Sequence, residues 1–151
     1  MKILILNGPN LNLLGKREVK FYGLESWDSI FKGLSTDFSD LQLEARQSNT
    51  EGEIINWIQK AEEEGFGGLV INPGAYTHYS IAIHDALLSL NIPKLEVHLS
   101  NIHAREPMRQ HSVTASACDG VIAGLGKDSY RLALEYFRRG VRTKIGFRKP
   151  E

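Results

Sequence analysis

Met1-Lys2-Ile3-Leu4-Ile5-Leu6-Asn7-Gly8-Pro9-Asn10 opens the chain, and its reading decides the fold. Four consecutive apolar residues, cut off by turn formers, are the pattern of a strand buried on both faces, as parallel sheets require. The run is shorter than the roughly 7–15 apolar residues of a secretory signal and the about 20 of a membrane span. The expectation is a soluble, cytoplasmic protein.

Working outward, short apolar runs alternate with helical patterns. Trp27, Ile30, Phe31, Leu34 and Phe38 recur at helical spacing, with Ser26 at the N-cap position. Leu41, Leu43 and Ala45 alternate with polar residues, so a second strand is expected to be less buried. Thr50 and Glu53 fit a capping box, and Ile54, Trp57, Ile58 and Ala61 continue that helical face to a stop at Gly65. Then come strand Leu69–Ile71, helix Ile81–Leu90, strand Leu95–His98 and strand Val121–Ala123. A helix over Ser129–Arg139 carries Leu132, Leu134, Tyr136 and Phe137. This alternation predicts an α/β fold, a three-layer sandwich with helices on both faces of a parallel sheet. Five strands predict the flavodoxin-like order 2-1-3-4-5. The chain reads as a single domain over 1–151, with a long unpatterned loop at about 11–25 placed to act as a lid.

Composition narrows the function classes. The chain has 151 residues, 42% hydrophobic and 24% charged, an ordinary globular balance. Eighteen basic and eighteen acidic residues cancel, which removes the positive footprint of a nucleic-acid binder. One cysteine, Cys118, excludes an internal disulfide and every cysteine-based zinc cluster, and is expected to be a small buried hydrophobe. Neither a G-x-G-x-x-G after the first strand nor a Walker A motif is present, and Asn72 stands where a response regulator places an aspartate. Five scattered histidines form no metal-ligand pattern, so no metal and no cofactor are expected.

In an open parallel sheet, ligands bind beyond the carboxyl ends of the strands where strand order reverses. Three strands end in unusual chemistry there: Asn7-Gly8-Pro9-Asn10, Asn72-Pro73-Gly74-Ala75-Tyr76-Thr77-His78, and His98-Leu99-Ser100-Asn101. Glu96 and His98 are two apart on a strand and face one side, so the carboxylate can fix the imidazole and support its charged form. In isolation a Glu-x-His pair reads as a satisfied edge pair; its place at a strand end favours catalysis. Ser100 is next on that face. Arg105 and Arg109, four apart, suit a carboxylate ligand, although surface arginines are common. Arg17 and Tyr22 in the lid loop put a cation beside a phenol.

These stretches resemble the type II 3-dehydroquinate dehydratase family. The resemblance rests on Ile5–Gly15 (ILNGPNLNLLG), Asn72–His78 (NPGAYTH) and Glu96–Glu106 (EVHLSNIHARE), and it spans essentially the whole chain. It implies a flavodoxin-like fold and dehydration of 3-dehydroquinate to 3-dehydroshikimate, by trans elimination through an enolate, with no metal or cofactor. Carried over by position, it implies Tyr22 as base with Arg17 beside it, and His98 as acid with Glu96 behind it. Asn10 is implied to hold a water near the enolate. Asn72, His78, Leu99, Ser100 and Arg109 are implied substrate contacts. Asp85 is implied to enter a neighbouring subunit's site, in a trimer-based assembly that the family usually completes as a dodecamer. Val19 stands where the family commonly has proline, and Pro107-Met108 before Arg109 is a less usual pairing. A tyrosine is ordinarily deprotonated only near pH 10, so an adjacent guanidinium in a closed site is what would make Tyr22 a base. Three other readings compete: a small-acid binding module without catalysis, a lyase or hydrolase acting on another hydroxy acid, and a flavin protein, which would be coloured.

Overall fold

The computed structural model describes residues 1–16, 20 and 23–140. Five strands, β1 (Lys2–Asn7), β2 (Gln42–Gln47), β3 (Gly68–Asn72), β4 (Lys94–His98) and β5 (Gly120–Ala123), form one parallel sheet in the order β2-β1-β3-β4-β5. The order is the one expected from the sequence. Among the described residues, three α-helices cross over between strands, α1 (Trp27–Asp37), α2 (Glu51–Lys60) and α3 (Ile81–Ser89), and α4 (Asp128–Arg138) follows β5.

Strand alternation divides the core in two. Ile3 and Ile5 of β1, Val70 of β3, and Leu95 and Val97 of β4 pack with Ile30, Leu34, Tyr130, Leu134 and Phe137 of α1 and α4. Leu4 and Leu6, with Leu69 and Ile71, pack on the other face with Ile54 and Ile58 of α2 and Ile83 and Leu87 of α3. Because β1 and β3 are central, both of their faces are buried, and the expected continuous apolar run follows. β2 is an edge strand of intermediate burial, as its alternating pattern indicates.

Local details depart from the sequence reading in instructive ways. Ser26 caps α1 as expected, accepting from Ser29 N at 3.2 Å. Thr50 makes no side-chain cap on α2. Ser48 enters instead: its Oγ accepts the Thr50 N–H at 2.9 Å and donates to Glu53, so the carboxylate of the expected box reaches the earlier serine and not the Thr50 N–H. In α4 the buried apolar positions are Tyr130, Ala133, Leu134 and Phe137, an i, i+3, i+4, i+7 stripe with the buried Ser129 at its start, while Leu132 and Tyr136 face solvent. Cys118 is only partly buried, packed against the α2–α3 core.

Candidate active site

The site begins where two turns interlock. Gly8 N donates to the Asn72 carbonyl at 2.7 Å. A Cβ on Gly8 would lie 2.3 Å from Pro73 O, so no other residue allows this approach. Gly74 answers from the opposite turn with φ +60°, its own Cβ position 3.1 Å from Pro9 O. Asn10 follows in the left-handed region at φ 68°, which asparagine tolerates better than most residues. Its N–H donates to Asn49 Oδ1 at 3.0 Å, and Gln47 Nε2 reaches Gly8 O at 3.2 Å. The ends of β1, β2 and β3 thus form one hydrogen-bonded rim.

A cavity of about 130 Å³ opens inside that rim. Asn10, Asn72 and His78 line it from the β1 and β3 turns, and His98, Leu99, Ser100 and Arg109 line it from β4 and the segment after it. Arg105 lines it too, so eight positions named from the sequence are brought together. Leu11 and Leu14, inside the expected lid, are instead buried in the core and form part of the cavity wall. Asp85 is not on the wall: it sits on α3 with its side chain 68% exposed, bonded to His84 Nδ1 at 3.0 Å. Arg17 and Tyr22 lie outside the described residues.

Glu96 and His98 share one face of β4 and meet directly. His98 Nε2 donates to Glu96 Oε1 at 2.6 Å, leaving Nδ1 for a ligand. Glu96 is fully buried, yet three hydroxyls surround it. Thr77 and Ser112 each donate to Oε1 at 2.8 Å, and Thr114 donates to Oε2 at 2.6 Å. Burial alone would raise this carboxyl, but the bond from His98, its charge, and the hydroxyl donors outweigh it and hold Glu96 below the ordinary range. Generic hydroxyls gave no sequence signal, because Thr77 and Thr114 are 37 residues apart.

Asn72 is oriented from behind the sheet. Its Nδ2 donates to Tyr130 Oη at 2.9 Å and its Oδ1 accepts from Gly74 N at 3.2 Å. Tyr130 in turn donates to Asn7 Oδ1 at 2.7 Å, and burial pushes its phenol well above the ordinary value. Asn7 Nδ2 is the one buried side-chain polar atom without a partner among the described residues. Tyr130 comes from α4, 58 residues beyond Asn72, and pattern reading placed it only on an apolar helix.

The arginines sit in two separate 3-10 turns, Ile102–Ala104 ending at Arg105 and Pro107–Arg109, not on one helix face. Glu106 pairs with Arg109 and lies 4.0 Å from Arg105, so an incoming anion competes with a resident carboxylate. His78 Nδ1 donates to the His111 carbonyl at 2.8 Å, which leaves its Nε2 as the second nitrogen. Burial lowers the His78 pKa, helped by the charges of His98, Arg109 and Arg105 and opposed by the bond to His111. Among the described residues no group of three or more histidine, cysteine, aspartate and glutamate side chains is disposed to hold a metal ion. The groups present suit acid–base chemistry on an oxygen-rich acid.

Comparison with known proteins gives a consistent result. The family model described as dehydroquinase class II matches residues 1–138. The 3-dehydroquinate dehydratase of Clostridium perfringens is 51% identical over 146 residues, covering 95% of this chain and 100% of that one. The crystal structure of the type II dehydroquinase from Butyrivibrio crossotus superposes with a TM-score of 0.89 at 48% identity, covering 91% of this chain and 97% of the other. That from Propionibacterium acnes gives 0.88 at 44% identity, covering 91% and 96%.

Proposed function

This chain belongs to the class II dehydroquinase family, and with it to the hydro-lyases that dehydrate 3-dehydroquinate in the shikimate pathway; we propose that in this reaction His98 is the general acid and Tyr22 the base. Tyr22, with Arg17 beside it, removes a proton alpha to the substrate ketone. The resulting enolate is held by a water on Asn10. His98 then protonates the departing hydroxyl, and water leaves on the side opposite the abstracted proton, giving the conjugated enone 3-dehydroshikimate. Arg109, Asn72, His78, Leu99 and Ser100 bind the carboxylate and hydroxyls of the ring.

The observation that carries this reading is His98 on the cavity wall with the buried Glu96 behind it, 2.6 Å away, and Nδ1 left over. A binding module has no need of an imidazole backed by a buried carboxylate; an acid that must give and regain a proton does. The test mixes the protein with 3-dehydroquinate in excess chelator and follows ultraviolet absorbance of the enone. Absorbance growth that His98→Ala abolishes supports the assignment. Turnover that survives His98→Ala removes His98 from the role.

The same reading extends to assembly and location. We place Asp85 in a neighbouring subunit's site, within a trimer-based assembly completed as a dodecamer. What supports this is the outward face around α3, where Tyr79, Ile81 and Leu88 are exposed beside Asp85. Light scattering on the purified protein tests it, a monomer being the adverse result. We also place the protein in the cytoplasm. Among the described residues no helix is long and apolar enough to cross a membrane.

A further inference from the structure

We propose that the hydroxyls of Thr77, Ser112 and Thr114 act as positioning residues that hold Glu96 as the anion, so that His98 keeps its Nε2 proton toward the carboxylate and carries on Nδ1 the proton that the leaving hydroxyl takes. The inference rests on His98 being the general acid. Thr77 and Thr114 are fully buried. Ser112 Oγ accepts from Ala115 N at 3.0 Å, which leaves its proton for Glu96. Thr77 Oγ1 also lies 2.7 Å from Ser112 Oγ and 2.8 Å from Thr114 Oγ1, so the three hydroxyls form one cluster around the carboxylate. Val113 N closes it onto the Thr77 carbonyl at 2.7 Å.

The cluster has a definite effect on proton sharing. A carboxylate has about four lone-pair sites, and here His98, Thr77 and Ser112 address Oε1 while Thr114 addresses Oε2. Every hydroxyl proton given to Glu96 stabilises its anion and makes it a weaker competitor for the imidazole's proton. The pair titrates as a unit, and its deprotonated state holds a buried carboxylate opposite a neutral ring. Removing a hydroxyl donor destabilises that state most, so the pair keeps its proton to higher pH and releases it less readily to substrate. The other charged or titratable groups around the pair are Lys94 on β4, Cys118 and Asp119 before β5, His78, and Arg105 and Arg109. Oε2 of Glu96 accepts from Thr114 at 2.6 Å.

The test compares Thr114→Val, Thr114→Ser and Thr77→Val with the parent enzyme, measuring kcat, KM and the pH profile of kcat/KM, with far-ultraviolet circular dichroism as a check on folding. Thr114→Val is expected to lower kcat about 10- to 100-fold, the loss typical of a hydrogen bond to a charged group. It should also move the basic limb of the profile up by roughly one pH unit. Thr114→Ser, which keeps the hydroxyl and loses only the methyl, should restore both. An unmoved or lowered basic limb in Thr114→Val, or an equal loss in Thr114→Ser, overturns the proposal, and Thr77→Val decides it in the same way if Thr114→Val does not fold. Parent enzyme that turns over while His98→Ala does not keeps the acid assignment intact whatever the threonine variants do.

Discussion

Replacing Gly8 by alanine isolates the interlock of the β1 and β3 turns. The added methyl would lie 2.3 Å from Pro73 O, 2.5 Å from Pro73 C and 3.1 Å from Gly74 N. The first of these is roughly 1 Å inside ordinary contact, and the obstacle is backbone, which cannot rotate away. The turns must separate, and the Gly8–Asn72 hydrogen bond of 2.7 Å goes with them. Overpacking costs about 1–3 kcal/mol, and the lost bond adds about 0.5–1.5 kcal/mol. A total of about 2–4 kcal/mol lowers the thermal midpoint of a domain this size by roughly 4–16 °C. Because the separated turns carry Asn10 and Asn72, a displacement near 1 Å should also cut kcat/KM by about 100-fold. The control is Gly33→Ala in α1, where nothing lies within 4 Å of the new Cβ. There the same change should stabilise by about 0.5–1 kcal/mol. Thermal unfolding by circular dichroism and the enone assay read both variants. A Gly8→Ala protein with the parent's midpoint and kcat/KM would refute the interlock.

Tyr22→Phe should abolish turnover while leaving substrate affinity by calorimetry unchanged; retained turnover removes Tyr22 as base. Arg109→Ala should raise KM about 10-fold with kcat nearly kept, since a carboxylate is present in ground and transition states alike; an unchanged KM counts against it. Tyr130→Phe leaves Asn72 Nδ2 and Asn7 Oδ1 without their shared partner, so denaturant titration should show a loss of about 1–3 kcal/mol. For Glu96, the folded-state pKa lies below the ordinary value of about 4.3. Its contribution to stability is therefore complete above that value and is lost as pH falls through the folded pKa. Acid unfolding of Glu96→Gln should lack that increment, and identical acid profiles would contradict the stabilised carboxylate.

Much of the architecture was legible because it depends on short-range pattern. Ile3–Leu6 had to be a buried strand, and the period-2 alternation of Glu96 and His98 put both on one face before any contact was known. The turn residues Gly8, Asn10 and Gly74 announced themselves as breaks in apolar runs. What stayed hidden depends on residues without chemical distinctiveness meeting across distance. Thr77, Ser112 and Thr114 are ordinary hydroxyls until the sheet brings them around Glu96. Tyr130 drew no notice in the sequence, since nothing local reports that its hydroxyl meets Asn7 and Asn72. Thr50 keeps the N-cap position of α2 without a side-chain cap, and Ser48 accepts the Thr50 N–H that the capping box would give to Glu53. The last helix was legible as a helix, but which of its apolar residues face the core was not, because the solvent-facing Leu132 and Tyr136 blur the stripe.

The chain of bonds from Gly74 to Asn7 has a direction, and it acts as a selection rule on what may occupy the cavity. A backbone N–H can only donate, so the Asn72 atom facing Gly74 is oxygen, and the atom facing Tyr130 is nitrogen. Tyr130 must then spend its single proton on Asn7, which fixes Asn7 as the acceptor. Asn72 is left with one amide hydrogen not used by these bonds, on a wall that also carries His98 and Arg109. A ligand oxygen meets a donor there. A ligand amine in the same position would find hydrogen facing hydrogen, and the amide could not turn over to welcome it without reversing every bond back to an N–H that cannot reverse.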